Sequence, residues 1–224
     1  MDIFHKYVNA IKKSPENVEY YSYALNCCKY IFKAGNVNYA LKCTTDLKEL
    51  CKRTIKNETT LNTVKVALYD FIQDILIVES PYSLDSYFLA LEYTRPIHQQ
   101  FYLPRRKQLK PIVHELERLL ISDEIDELFL SMPPRTGKTT LIIFVISWLI
   151  GFKPELANLY VTYSTDTAKG FYDGVYEILN DEITYSWHKI FPDVEFDKTS
   201  MCNSKESYLG RCYDDLHEWN GYHQ

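Results

Sequence analysis

Apolar residues recur at helical spacing through the first hundred positions. Val18, Tyr21, Ala24, Leu25, Cys28, Ile31 and Phe32 form one such stripe. Ser14-Pro15-Glu16 reads as an N-cap with proline at the first helical position, and Gly35 as the stop. A second helix is predicted over 37–55, through Tyr39, Leu41, Cys43, Leu47, Leu50 and Cys51. A third is predicted over 60–78, carrying Leu61, Val64, Val66, Ala67, Leu68, Phe71, Ile72, Ile75 and Leu76. Pro81 breaks it, and a further helix over 84–93 ends before Pro96. These aromatic and cysteine stripes read as the core of a small helical bundle rather than as a binding groove.

After residue 100 the pattern changes. A helix is predicted from Pro111 to Ile121, packing through Ile112, Val113, Leu116, Leu119 and Leu120. Leu128-Phe129-Leu130 reads as a short strand, followed by a loop and then an apolar helix through Leu141, Phe144, Val145, Trp148 and Ile150. Gly151 is expected to end that helix, with Pro154 preventing its return. Leu159-Tyr160-Val161-Thr162-Tyr163 reads as a second strand. Ser164-Thr165-Asp166 caps a helix that places Ala168, Phe171, Val175, Ile178 and Leu179 on one face. Strand, helix, strand, helix in that order predicts a right-handed parallel α/β unit.

The loop between the first strand and helix carries chemistry. Met132-Pro133-Pro134-Arg135-Thr136-Gly137-Lys138-Thr139-Thr140 is a Walker A match in its expected context. Loop amides and a helix N-terminus face an anion there, with Pro134, Arg135, Thr136, Gly137, Lys138, Thr139 and Thr140 as the phosphate-binding set. Lys138 supplies a point charge to the β- and γ-phosphates, Thr139 a hydroxyl to Mg²⁺, and Arg135 a second cation. Met132 stands where the motif has its first glycine, so Pro133-Pro134 turn the loop by rigidity. The predicted fold class is therefore α/β: a P-loop NTPase with a partial parallel sheet flanked by helices, preceded by an α-helical region. The corresponding division is a helical region 1–95, a partial P-loop ATPase domain 96–209 and an irregular tail 210–224.

Composition narrows the partners. A net charge of −5 argues against general electrostatic capture of nucleic acid, so any DNA contact must be local. The six cysteines include no Cys-x-x-Cys pair, and no signal peptide precedes them; buried reduced thiols in a cytoplasmic protein are expected. The apolar stretch 141–150 is about half of what a bilayer span requires, so no membrane association is expected. Cys212, His217 and His223 are scattered without paired spacing and make a weak metal candidate.

Met-Pro-Pro-Arg-Thr-Gly-Lys-Thr resembles the deviant Walker A loop of phage terminase large subunits, the ATPases that drive DNA into procapsids. Two further blocks are similar to that family: the aromatic–Pro-Arg-Arg-x-Gln segment from Phe101 to Gln108, and Tyr163 to Leu179. The resemblance covers roughly residues 95–207. It implies ATP and Mg²⁺ as cofactors and ATP hydrolysis with Lys138 and Arg135 as catalytic groups. It further implies that Gln108 reads adenine while Tyr102 or an arginine stacks on it. Double-stranded DNA, a portal protein and a small terminase subunit follow as partners, with a homo-oligomer working in the cytoplasm of a bacterial host, phage or prophage encoded.

The family continues with a second carboxylate strand and a nuclease domain. Neither Glu195-Phe196-Asp197 nor Asp214-Asp215 follows a buried apolar run, so neither fits that strand. The sequence is therefore expected to be an incomplete copy, with a truncated or frame-shifted tail; codons compatible with Gly221-Tyr222-His223-Gln224, shifted by one base, can read Asp-Ile-Ile. Two alternatives stand beside the packaging motor. One is a helicase-like or signalling P-loop NTPase, the other a non-catalytic nucleotide-binding remnant.

Overall fold

The computed structural model describes residues 2–121 and 125–194, and the chain divides into two compact units, Met1–Tyr93 and Thr94–Gln224. The first unit is five helices: α1 (Asp2–Lys13), α2 (Val18–Lys33), α3 (Val37–Lys56), α4 (Asn62–Glu79) and α5 (Leu84–Leu91). Each packs on the next, and α2 also meets α4. The predicted stripes supply much of the core: Tyr21, Ala24, Leu25, Cys28 and Phe32 from α2; Cys43, Leu47 and Cys51 from α3, joined by Ala40, which the stripe did not include; Leu68, Phe71 and Ile75 from α4. Leu61 and Val66 depart from the stripe and are exposed. Cys28, Cys43 and Cys51 are buried free thiols, and burial pushes the Cys51 thiol up to about 12, which keeps it unreactive at neutral pH.

The helix ends show why local chemistry was readable and where it misled. Gly35, at φ 80°, closes α2: its N–H donates to Phe32 O (2.9 Å) and the Asn36 N–H to Ile31 O (3.2 Å). The cap at the other end is Asn17, whose side chain accepts from Glu19 N (3.1 Å), and not Ser14. Ser14 instead finishes α1, donating its N–H to Ala10 O.

A buried ion pair ties α3 to α4. Glu79 is 1% exposed, and its Oε2 accepts from Lys48 Nζ and from Ser86 Oγ, both at 2.6 Å. Its other oxygen has no partner among the described residues.

The second unit has 3-10 turns at Ile97–Gln99 and Leu103–Arg105, then α6 (Arg106–Ile121), α7 (Lys138–Phe152), α8 (Thr165–Asn180) and α9 (Trp187–Ile190). Helix α6 starts five residues before Pro111, which lies inside it; the Lys107 carbonyl that proline cannot serve belongs to an exposed residue. Helix α7 packs on α8; Leu141, Phe144, Val145 and Trp148 are buried on the first, and Phe171, Val175 and Ile178 on the second. Ser164 caps α8 as predicted, its Oγ accepting from Thr167 N (3.2 Å). Gly151 does not end α7. It is the buried penultimate residue of a helix that runs on to Phe152, and a Cβ there would meet the Phe191 ring at 2.2 Å, so the glycine also permits close packing.

The α/β expectation is overturned. Among the described residues there is helix and irregular chain but no strand, which is not the fold of an α/β P-loop NTPase. Leu128–Leu130 and Leu159–Tyr163 both run as irregular chain. An apolar run becomes a strand only when neighbours take up its N–H and C=O groups. Neither run has such a neighbour among the described residues, and Phe129 and Tyr163 are 91% and 94% exposed. Tyr160 instead stacks on Phe171, ring centroids 3.7 Å apart. Among the described residues no helix is long and apolar enough to cross a membrane.

The turn between α8 and α9 is held by Asp181, whose Oδ1 accepts from Ile183 N (3.0 Å) and Thr184 N (2.9 Å). Hydrogen bonds from the Thr184 hydroxyl and amide hold its carboxyl below the ordinary 3.8. A depressed carboxylate stabilises the fold above its unfolded-state value, and that contribution is lost as pH falls through the folded one. Thermal unfolding followed between pH 7 and pH 2 is therefore expected to lose part of its acid sensitivity in Asp181→Asn. An unchanged pH profile would show that this turn carries no linked stability.

Candidate phosphate-binding loop

The loop ahead of α7 is built by stiff and strained backbone. Pro133 and Pro134 fix two φ angles, and the Thr136 hydroxyl donates back to Pro133 O (2.7 Å), closing the turn. Arg135 (φ 62°) and Gly137 (φ 92°) are left-handed, and Thr136 between them is not. Arg135 is the one non-glycine residue with positive φ among the described residues. Successive N–H groups in a turn of this kind can share a concavity of the sort that holds anions. Helix α7 begins at once, with Leu141 N donating to Gly137 O (2.9 Å). The N–H groups of Lys138, Thr139 and Thr140 are thus the orphan donors of its first turn, at the positive end of the helix dipole.

The side chains stand around this backbone. Pro134, Arg135, Lys138 and Thr139 are exposed, while Thr136, Gly137 and Thr140 are half-buried. Neither Arg135 nor Lys138 has an ion-pair partner among the described residues, so both cations are available to a ligand. For Mg²⁺ the exposed Thr139 hydroxyl is a fitting ligand, since the ion keeps several waters and binds largely through phosphate oxygens.

The segment expected to read the base lies beside the loop only in part. The Phe101 ring abuts Gly137, so closely that a Cβ there would come within 2.3 Å of it. Phe101 also packs edge-on against Phe144 of α7 (5.5 Å). Arg105 lies over the Phe101 ring at 5.4 Å and donates to the Phe101 carbonyl (3.0 Å). Gln108 is exposed on α6. Tyr102 is 0% exposed, so it is a core residue and presents no face for a base to stack on. The contact of Phe101 with Gly137 was not legible: it spans thirty-six positions, and no spacing announces it.

Among the described residues no cluster of His, Cys, Asp or Glu could hold a metal ion by itself. Glu195, Asp197, Asp214, Asp215, Cys212, His217 and His223 lie outside the described residues. Protein-family models, curated proteins and solved structures were all compared with the chain, and none matches.

Proposed function

We propose that the loop 131–140 binds the phosphates of ATP with Mg²⁺, in a chain of the terminase ATPase type. The observation that carries this reading is the alternation of left-handed Arg135 and Gly137 immediately before the amide-rich start of α7. It is a local arrangement of loop and helix, and it does not require a sheet. Lys138 binds the β- and γ-phosphates and Arg135 neutralises charge on the γ-phosphate, in cis or toward a neighbouring subunit. The Thr139 hydroxyl would hold Mg²⁺, which would supply positive charge against the phosphates. The finer reading, hydrolysis coupled to packaging of double-stranded DNA with a portal protein and a small terminase subunit, rests on the resemblance of residues 95–207. A binding-only chain is the second reading.

Titration with Mg²⁺-ATP tests both. At a ligand concentration of about 100 Kd, mass action predicts roughly 2.7 kcal/mol of added stability, read as a rise in Tm. Lys138→Ala removes a charge-assisted contact and is expected to weaken binding by about 1.5–3 kcal/mol. Phosphate release above blank, lost in Lys138→Ala, would decide for hydrolysis over binding alone. If Tm does not move with Mg²⁺-ATP, the nucleotide reading is wrong.

A further inference from the structure

We propose that Phe101 is the positioning residue of the phosphate loop: its ring fills the space in which Gly137 would carry a side chain, and so holds the loop in its left-handed, amide-presenting turn. This rests on the phosphate-binding reading of residues 131–140. Three contacts fix the ring. Its edge lies against Gly137, with Cε2, Cζ and Cδ2 at 2.3, 2.9 and 3.5 Å from where a Cβ would stand. Behind it, Phe144 packs edge-on at 5.5 Å from the buried face of α7, the helix whose first turn completes the loop. The Arg105 guanidinium covers the ring and ties back to the Phe101 carbonyl. The loop is thus clamped between its own closing hydrogen bond, Thr136 to Pro133, and a ring anchored on α7. Gly137 is required twice, for its φ of 92° and for the ring. Phe101 touches no phosphate in this account; it acts through Gly137.

A double-mutant cycle on the full chain tests the proposal, with Kd read for inorganic tripolyphosphate and for Mg²⁺-ATP. Phe101→Ala is expected to weaken both probes about tenfold or more, and Phe101→Leu to stay within about threefold of the parent, because an apolar side chain of similar bulk still supports the turn. Gly137→Ala is expected to weaken both by about thirtyfold or more, yet the double variant Phe101→Ala/Gly137→Ala should bind no worse than Gly137→Ala alone, since removing the ring makes room for the methyl group. Losses that simply multiply, or a Phe101→Ala variant that binds like the parent, would overturn the proposal. If Phe101→Ala does not fold by circular dichroism, the cycle is run with Phe101→Leu, which keeps apolar bulk under the turn but lacks the Cε2 and Cζ atoms that would meet the added methyl group, so the Gly137→Ala loss should shrink by about threefold or more in that background; an unchanged loss would equally overturn it. A parent chain that binds neither probe would instead refute the phosphate-site reading on which the proposal stands.

Discussion

Lys48→Ala is expected to destabilise the unit Met1–Tyr93 by about 3 kcal/mol, near the lower end for a broken buried ion pair. The reason is what the substitution leaves behind. Glu79 is held inside the bundle with Oε1 already unpartnered among the described residues, and Lys48 supplies the positive charge facing Oε2. Without it, a carboxylate in low dielectric keeps only the Ser86 hydroxyl. Lys48 itself retains 19% side-chain exposure, which is why the upper end of the range is not expected. Adding Glu79→Gln should recover part of the loss, because a neutral amide can keep the Ser86 hydrogen bond without burying a charge. Urea denaturation of the three variants measures this directly. A Lys48→Ala loss under about 1 kcal/mol would place the pair with ordinary surface salt bridges.

Trp187→Ala should cost the second unit about 3–5 kcal/mol. Helix α9 has only four residues and cannot persist on propensity alone; it is held by what it buries. Trp187 is fully buried, its Nε1 donates to Ser147 O on α7 (2.8 Å), and its ring packs against Phe191 (5.4 Å). Phe191 in turn occupies the space over Gly151, so the substitution loosens the contact that this glycine exists to permit. Trp187→Phe separates the contributions: it keeps most of the apolar volume and loses the hydrogen bond, for about 1 kcal/mol plus a modest packing term. Near-ultraviolet circular dichroism and amide exchange on α7 and α8 would register the change. Equal losses in the two variants would mean that the hydrogen bond, and not the ring, secures α9.

The helices were legible because a helix satisfies its own backbone, and its sequence needs only one apolar stripe facing a neighbour. The stripes of α2 and α8 therefore reach the core nearly whole, while in α3 Tyr39, Leu41 and Leu50, and in α4 Val64 and Ala67, are only half-buried at the edge of it. The turn ahead of α7 was legible for the same local reason: two prolines and Gly137 bend the chain on their own. Strands are different. Whether Leu159–Tyr163 becomes one depends on which chain lies alongside, and a β-branched, aromatic run cannot state that. Two single residues were misassigned by the same limitation. By propensity Gly151 is a stop, yet α7 runs one residue past it and a ring from forty positions downstream packs on it, and Pro111 marks a helix start by its spacing, although the preceding turn tolerates it. Tyr102 was read by its chemistry as a stacking platform, and its complete burial removes it from that role.

Arg135 holds a backbone state that costs an L-residue roughly 1–2 kcal/mol, in a position where glycine would sit freely. The chain has thus settled that expense during folding, before any phosphate arrives. On the nucleotide reading, encounter needs no rearrangement of the main chain, and the tempo of capture is set by diffusion and by the approach of an anion to two unshielded cations. The loop then behaves as a mould already set, whose fidelity to its guest was decided when α7 formed.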